Sequence, residues 1–363
     1  MNTIENLTQS AIRLLERLIQ TPSFSGEEEK TAQLINDWLK NHGIPCWQLG
    51  NNVIARNREF NPDKPTLLLN SHHDTVKPNK AYTRDPFEAR IEDGKLFGLG
   101  SNDAGGCLVS LLAAFAHWYP QENLSHNVLL VASAEEENSG PNGLRSVLGE
   151  LPEIDVAIVG EPTLLNLAIA EKGLVVFDGV VKGTPSHAAH PNPDNAIYNA
   201  IPVLEWFRDY RFPRVSEALG EVKLTVSQIH GGKQHNAVPA QVEFVLDVRV
   251  NDCYSNAEIA QALQKEAPCE LQPRSLRLNS SSIDPDHDLV KAGVAMGGKT
   301  YGSPTLSDQA SLECPSLKVG PGDTLRSHSA DEFIFVEEIE KGIQFYTELL
   351  RGFLMEGKKK NAH

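Results

Sequence analysis

The sequence predicts an α/β fold in which a mixed sheet flanked by helices carries an inserted α+β domain. Apolar runs of strand length alternate with helical segments before residue 172 and after residue 280, whereas residues 173–279 follow the order β-α-β-β-α-β. Alternating strands and helices are typical of layered α/β sheets, and the second order is that of a ferredoxin-like unit. A chain of 363 residues also exceeds the usual size of one hydrophobic core. We therefore predict one domain from residues 1–172 and 280–363, and a second from residues 173–279.

Each predicted element follows from hydrophobic periodicity or from signals at its ends. In the larger domain, Ser25 followed by three glutamates indicates a helix start, and Gly43 indicates its end. The predicted helices there are 5–20, 26–42 and 107–118, and the predicted strands are 52–55, 66–70, 128–132 and 155–159. In the inserted domain the predicted strands are 174–181, 221–229, 241–250 and 270–278, and the predicted helices are 195–210 and 256–265. The lysine-rich tail, residues 356–363, is expected to be a disordered terminus.

Composition excludes several classes of partner. The net charge is −15 and the pI is near 5.3, whereas a nucleic-acid or anionic-membrane partner would require a basic surface. Residues 1–20 lack the basic start and apolar core of a signal peptide, and no apolar stretch approaches the roughly 20 residues that span a bilayer. We therefore expect a cytoplasmic protein without nucleic-acid or membrane partners. The five cysteines form no C-x-x-C pair, so neither a disulfide framework nor a thiolate zinc site is indicated.

Three apolar runs each end at residues of the type that bind metals. His72 and Asp74 follow the run 66–70, three adjacent glutamates follow the run 128–132, and Glu161 follows the run 156–159. In open α/β sheets, ligands collect beyond the carboxyl ends of such strands, so the sequence predicts a metal centre at one sheet edge. The spacing of His72 and Asp74 places both on one side of the strand, where a carboxylate could orient a metal-binding imidazole.

Taken singly, these signals leave other interpretations open. A His-His-Asp triplet is common at loop starts, and a run such as Glu135, Glu136 and Glu137 is more often a solvated acidic loop. Their convergence favours a two-metal hydrolytic site, and nitrogen and oxygen ligands favour zinc, cobalt or manganese over calcium. Further donors are Asp103 in the loop GLGSNDAGG, residues 98–106, and His328, which follows Gly-Pro-Gly at 320–322. Neither a phosphate-loop spacing nor the G-x-S-x-G motif of serine hydrolases is present.

With these residues, nearly the whole chain resembles the two-metal aminoacylase and deacylase metallopeptidase family. That family includes acetylornithine deacetylase, succinyl-diaminopimelate desuccinylase and related carboxypeptidases and dipeptidases. The matching segments are SHHDT at 71–75, GLGSND at 98–103, EEE at 135–137, VGEPT at 159–163, SHAAHP at 186–191, HNAVP at 235–239 and GPG at 320–322 with His328. The resemblance implies a zinc-peptidase-like catalytic domain with an inserted dimerisation or lid domain.

The resemblance also implies a role for each matching residue. Asp103 would bridge two divalent metal ions, zinc or cobalt. His72 and Glu161 would complete one metal site, and Glu137 and His328 would complete the other. Glu136 would be the general base for a metal-bridging hydroxide, and Asp74 would lie behind the ligands.

In the inserted domain, the resemblance implies that His187 reaches across a homodimer to stabilise the oxyanion of the transition state. Asn236 and Arg249 would hold the substrate carboxylate, because the guanidinium fork binds carboxylates bidentately. A surface role on its strand is an equal alternative for Arg249. Asp308 is a further candidate, for binding a substrate ammonium group.

The chain departs from the family pattern at two places. The loop after Asp103 is one residue shorter than usual and Leu99 replaces a usual Arg, so the pocket shape is expected to differ. Glu135 stands where an Asp is common, which leaves a one-residue ambiguity over whether Glu136 or Glu137 is the base. The following Ser139-Gly140 turn favours Glu136.

We therefore expect a metal-dependent amide hydrolase that removes an N-acyl group from a small amino acid. Acetylornithine, a precursor in arginine biosynthesis, is the first expected substrate because of the Gly-Pro-Gly segment before His328. The alternatives are a desuccinylase acting on succinyl-diaminopimelate, succinyl-ornithine or succinyl-citrulline, and a dipeptidase. A non-catalytic dimeric binding protein is a remote alternative, because such a protein has no need of a spare glutamate.

Overall fold

The computed structural model describes residues 3–355, so the tail predicted to be disordered lies outside the described residues. The chain forms two compact units. The main unit contains the residues up to 169, residues 282–301 and the residues from 307 onward. The inserted unit contains residues 170–281 and 302–306.

Helices and strands alternate through most of the chain. The first part contains α1 (Ile4–Ile19), α2 (Glu29–Asn41), β1 (Cys46–Leu49), β2 (Asn52–Arg56), β3 (Thr66–His72), β4 (Arg90–Glu92), β5 (Lys95–Phe97), α3 (Gly106–Trp118), β6 (Asn127–Ser133), α4 (Leu144–Val147), β7 (Val156–Val159) and β8 (Leu167–Glu171). The middle part contains β9 (Gly173–Lys182), β10 (Ser186–His187), α5 (Ala196–Asp209), β11 (Lys223–Gly231), β12 (Ala237–Val238), β13 (Gln241–Val250), α6 (Asn256–Glu266) and β14 (Glu270–Pro273). The last part contains β15 (Ser281–Ser282), α7 (Asp288–Ala295), β16 (Thr300–Ser303), β17 (Ser316–Lys318), β18 (Phe333–Phe335) and α8 (Val336–Met355).

The main unit is built on a mixed sheet with the strand order β1-β2-β6-β3-β7-β17-β8. Its centre is parallel, because β3 runs parallel to both β6 and β7, and β17 runs parallel to β7. Every residue of β3 is buried, as expected for a strand covered on both faces. Leu67 and Leu69 pack in the core formed with α1, α3 and α8, whereas Leu68 faces the opposite core with Leu144 of α4. Successive side chains of β3 point to opposite faces of the sheet, so this strand contributes to both cores.

The helices of the main unit bury the faces that their periodicity predicts. In α1 the buried positions include Leu7, Ala11, Leu14 and Leu18, which recur at helical spacing. Helix α3 is buried on nearly its whole circumference, in agreement with its uniformly apolar sequence. A small antiparallel sheet with the order β18-β5-β4 completes the unit.

The predicted start of α2 is wrong by three residues. Gly26 has a φ of +90°, a left-handed conformation that interrupts the helical path, and the helix begins only at Glu29. Ser25 is therefore not the cap residue, and its hydroxyl donates instead to Asp74. The predicted strand 270–278 is also shorter than expected, because regular pairing ends at Pro273.

The inserted unit has the predicted β-α-β-β-α-β order, formed by β9, α5, β11, β13, α6 and β14. These strands form an antiparallel sheet with the order β11-β13-β9-β14, in agreement with a ferredoxin-like unit. Alternate residues of β13 are buried, and they include Phe244 and Leu246, which pack with Phe207 of α5 and Leu263 of α6. The predicted fold class, a mixed α/β sheet with an inserted α+β unit, is confirmed.

Between residues 3 and 355, no helix combines the length and the apolar character that crossing a bilayer requires.

Substitution of Gly179 tests the packing of the inserted unit. Gly179 on β9 pairs with Phe244 on β13, and a Cβ at this position would overlap the Phe244 ring. Overpacking of this kind costs about 1–3 kcal/mol, so we expect Gly179→Ala to lower the free energy of unfolding by that amount in urea denaturation. Gly149→Ala is the matched control, because nothing lies within 4 Å of its Cβ position. Equal stabilities of the two variants would contradict the prediction, and adding Phe244→Leu to Gly179→Ala should recover part of the loss.

Candidate metal centre and active site

Three neighbouring parallel strands deliver acidic and imidazole groups to one edge of the main sheet. His72 is the last residue of β3 and lies in register with Ser133, the last residue of β6. Asn70 lies in register with Val159, the last residue of β7, so Glu161 follows at the same edge. The predicted convergence of the three strand ends is therefore present in the structure, because the register brings their carboxyl ends side by side.

One group of contacts surrounds His72, whose side chain is 1% exposed. Its Nε2 lies 3.4 Å from Oδ1 of Asp103, 3.7 Å from Oε1 of Glu161 and 3.9 Å from Oε2 of Glu136. On its other side, Nδ1 lies 3.3 Å from Oδ1 of Asp74 and 3.0 Å from the Asp74 carbonyl oxygen. Because Nδ1 faces these oxygens, Nε2 is the nitrogen directed at the acidic cluster.

A second group of contacts surrounds His328. Its Nε2 lies 2.9 Å from Oε2 of Glu137 and 3.6 Å from Oδ2 of Asp103. Asp103 thus presents one carboxylate oxygen to each of the two imidazoles. The His328 side chain is 55% exposed, whereas that of Glu137 is 8% exposed. The His328 imidazole is therefore exposed to solvent, whereas the carboxylate that it contacts is buried.

The ionisation of the cluster reflects burial and repulsion between like charges. Burial, together with the charges of Glu161, Asp308 and Glu137, raises the pKa of Glu136 well above its usual range. Burial and the neighbouring Asp103 raise the pKa of Glu161 to about 8. For His72 burial opposes the charge, but its contacts with Asp103 and Asp74 raise its pKa well above the usual value. Protons therefore relieve part of the repulsion within this cluster.

The donor set fits divalent metal ions. His72, Asp103 and Glu137 offer ligand atoms within 4.8 Å of one another, and so do His72, Glu136 and Glu161. A divalent cation at such a place relieves the repulsion between carboxylates and favours the deprotonated imidazole. Nitrogen and oxygen donors without thiolate suit hydrolytic metals such as zinc, cobalt or manganese. These residues can therefore bind divalent metal ions, but their arrangement does not identify the metal.

Asp74 connects the cluster to the glutamate turn. Its Oδ1 accepts a hydrogen bond from the backbone N–H of Glu136 at 3.0 Å, and its Oδ2 accepts one from Glu137 at 3.1 Å. The Ser25 hydroxyl donates to the same Oδ2 at 2.7 Å. Sequence reasoning paired Asp74 with His72 but assigned Ser25 to the start of a helix. It missed the backbone bonds because main-chain donors leave no pattern in a sequence.

Glu332 is a further residue that sequence reasoning missed. Its carboxylate accepts hydrogen bonds from the backbone N–H groups of Gly100, Asn102 and Asp103. Burial and the charge of Asp103 raise the pKa of Glu332 to about 8. Glu332 therefore fixes the loop that carries Asp103. The only signal in the sequence was an acidic residue four positions after His328. That signal does not distinguish a carboxylate that fixes the Asp103 loop from one on the surface.

Packing explains the Gly-Pro-Gly segment before His328. A Cβ at Gly320 would meet Cys107 and Tyr346, and Gly322 has a φ of +89° beside the Asn102 side chain. Both glycines are therefore required by close approach and backbone conformation. These constraints account for the two glycines without reference to the substrate, and the choice of acetylornithine, which was based on this segment, stays a prediction.

Asp308 lies close to the cluster. It is 7% exposed, and its Oδ2 accepts a hydrogen bond from the Ser133 hydroxyl at 2.5 Å. Burial raises the pKa of Asp308 to about 6. Contact between this carboxylate and a substrate ammonium group stays a prediction.

The remaining predicted residues lie in the inserted unit. Strand β10 pairs with β12 so that His187 lies opposite Ala237, and the N–H of Ala188 donates to the Asn236 carbonyl oxygen at 3.0 Å. His187 and Asn236 are therefore neighbours within this unit. Arg249 forms a two-point ion pair with Asp247 on the same strand, with Nε 2.9 Å from Oδ1. A substrate carboxylate would have to compete with Asp247, and the substrate roles of Asn236 and Arg249 stay predictions.

Comparison with known proteins agrees with this site. The model of peptidase family M20/M25/M40 matches residues 68–352. A protein of Pyrobaculum aerophilum named as a LysW-lysine or LysW-ornithine hydrolase is 29% identical over 340 residues, which cover 90% of this chain and 93% of the relative.

Solved structures share the fold. An M20 family metallo-carboxypeptidase from Sulfolobus solfataricus has a TM-score of 0.73 at 18% identity, covering 94% of this chain and 99% of that chain. A dinuclear metal-binding M20 peptidase from Bacillus subtilis has a TM-score of 0.71 at 17% identity, covering 95% and 98%. These matches and the family model confirm the resemblance that the sequence motifs predicted. The chain belongs to peptidase family M20/M25/M40 and is a metal-dependent hydrolase of amide bonds.

Proposed function

We propose that this hydrolase removes an N-acyl group from the amine of a small amino acid, with acetylornithine as the first candidate substrate. The observation on which the hydrolytic part of the proposal depends is the position of Asp103, which presents one oxygen to His72 and the other to His328. This arrangement would let Asp103 serve as a ligand to two metal ions. The relative from Pyrobaculum aerophilum, by its name, acts on a lysine or ornithine conjugate, which supports a basic amino acid as the amine released.

We assign the roles as follows. His72, Asp103 and Glu161 would hold one ion, and Asp103, Glu137 and His328 would hold the other. When bound, the two ions supply Lewis acidity and activate water at neutral pH. Glu136 takes a proton from the attacking water at its carboxylate and passes it to the leaving amine. Its side chain is 12% exposed, so bulk water has little access to the proton that it carries.

The homodimer is a second part of the proposal. Ile197, Tyr198 and Ile201 of α5 are exposed apolar residues, and β11 is an edge strand that exposes Ile229. Exposed apolar side chains beside an unpaired strand edge favour association with another copy. His187 of one subunit then stabilises the oxyanion in the active site of the other. The negative net charge and the five free thiols support a reducing, cytoplasmic setting without a nucleic-acid or membrane partner.

Substitution of Glu136 and Glu137 tests which of the two is the general base and which is the metal ligand. We expect Glu136→Gln to lower kcat by about 100- to 10,000-fold with the metal content unchanged, because only proton transfer is lost. We expect Glu137→Gln to lower the metal content, because it removes one ligand that faces His328. Both properties are measured by steady-state kinetics and metal analysis of the purified variants. The reverse pattern would show that the two roles must be exchanged.

A substrate panel tests the chemistry. The panel contains acetyl and succinyl derivatives of ornithine, citrulline, lysine and diaminopimelate, together with dipeptides, and free-amine release is measured with added Zn²⁺ or Co²⁺. We expect fast release from an acetyl amino acid, and complete loss when a chelator removes the metal. Preference for a succinyl derivative or a dipeptide would replace acetylornithine by the corresponding alternative. Failure to cleave any member by metal-loaded protein would refute the acyl-amino-acid proposal.

Mixing two inactive variants tests whether His187 acts across a dimer. Glu136→Gln and His187→Ala subunits carrying different tags are co-expressed, and the mixed dimers are isolated. If His187 acts in the partner's site, the mixed dimer contains one complete site and regains up to about half of the wild-type activity. The control pairs His187→Ala with the double variant, which leaves no complete site. A monomer in light scattering, or a mixed dimer as inactive as its control, would contradict this part of the proposal.

A further inference from the structure

The turn between α1 and α2 contacts the active site from outside the region matched by the family model, which begins at residue 68. Residues 23–28 form this turn, and we refer to them as the N-terminal turn. The Thr75 N–H donates to the Ser23 carbonyl oxygen at 2.8 Å, and Phe24 forms a parallel bridge with Thr75. These contacts fasten the N-terminal turn to the chain just after His72 and Asp74.

Glu28 is a fully buried carboxylate in this turn, with 0% exposure. Its Oε1 accepts hydrogen bonds from the backbone N–H groups of Gly26 at 2.7 Å and of Glu135 at 3.1 Å. Its Oε2 accepts one from the Asn51 side chain at 2.8 Å. Burying a carboxylate costs free energy unless its oxygens accept hydrogen bonds. These donors therefore fix the position of the Glu28 carboxylate, and the carboxylate fixes the positions of the donors.

The contact with Glu135 acts on a strained part of the chain. Glu135 has a φ of +52°, a conformation that residues other than glycine seldom adopt. Its own carboxylate accepts hydrogen bonds from the backbone N–H and the side chain of Asn142, which closes the turn that follows. Glu28 thus holds the backbone at the residue immediately before Glu136.

Ser25 acts on the same turn through Asp74. Its hydroxyl donates to Oδ2 of Asp74, which also accepts from the N–H of Glu137. Oδ1 of Asp74 accepts from the N–H of Glu136 and lies beside His72. Loss of the Ser25 hydroxyl would remove one of the donors that fix the Asp74 carboxylate in this arrangement. Asp74 would then hold the backbone of Glu136 and Glu137 less firmly.

We propose that Ser25 and Glu28 are positioning residues of the hydrolase, which hold the backbone of residues 135–137 and thereby the carboxylates of Glu136 and Glu137 against the two imidazoles. This inference rests on the proposed roles of Glu136 and Glu137. A merely structural role would predict a loss of stability without a specific effect on turnover or metal binding. The two explanations therefore differ in measurable properties.

The test uses Ser25→Ala and Glu28→Gln in the full chain, loaded with Zn²⁺ for kinetics and with Co²⁺ for absorption spectra. Outer hydrogen-bond partners of metal ligands typically contribute about 10- to 100-fold to activity or metal affinity. We therefore expect both variants to lower kcat by that factor with little change in KM, and to alter the Co²⁺ spectrum. Ser25→Thr keeps a hydroxyl and should restore most of the activity. Glu27→Gln is the matched control, because Glu27 is exposed in the same turn.

The outcomes are distinct. If Ser25→Ala and Glu28→Gln keep wild-type kcat and Co²⁺ spectra and lose only thermal stability, the inference is overturned. If Glu28→Gln does not fold, Ser25→Ala and its Thr rescue decide the question alone. If the wild-type protein cleaves no acyl amino acid, the proposed function has failed, and the Co²⁺ spectra and metal affinities of the variants still test the positioning role. Wild-type metal affinity in Ser25→Ala would then overturn it.

Discussion

Repulsion between buried carboxylates is the physical constraint on which the rest of the site depends. Asp103, Glu136, Glu137 and Glu161 meet at one edge of the sheet, where their side chains are only 8–14% exposed and solvent screens them weakly. Burial and their mutual charges raise the pKa of Glu136 and that of Glu161. Such a cluster persists only if surrounding groups hold each carboxylate in place and if cations can neutralise the set. Its capacity to bind divalent metals follows from that requirement.

Three further acidic residues hold this cluster in place by accepting hydrogen bonds from backbone N–H groups. Asp74 holds the turn at Glu136 and Glu137, Glu28 holds Glu135, and Glu332 holds the loop of Asp103. Each of these carboxylates is buried. Main-chain donors suit this purpose, because their positions are determined by the fold and they add no full positive charge that would compete with a metal ion.

The sequence predicted the metal-binding cluster and Asp74, but not Glu28 or Glu332, for a physical reason. Strand ends are readable from apolar runs, and parallel neighbours bring those ends together, so His72, Glu161 and the glutamate turn were predictable. The partners of Glu332 described above, and two of the three partners of Glu28, are backbone N–H groups, which leave no pattern in a sequence. A faint signal existed for Glu28, because it precedes the buried Thr31, Ala32 and Ile35 at helical spacing. The start of α2 was predicted too early because Gly26 adopts a left-handed conformation. A sequence does not show whether a glycine has a positive or a negative φ.

The shared carboxylate of Asp74 has a consequence for how this sequence can evolve. A single side chain is bonded to Ser25, to the N–H groups of Glu136 and Glu137, and lies beside His72, so these positions are not independent. Once Asp74 has been lost, further change at Ser25 removes little more, because both changes remove the same contact. Substitutions here are therefore epistatic. A substitution at one of these positions weakens the selection that conserves the others. Relatives that keep the fold but lose the hydrolase activity should therefore lose these residues together.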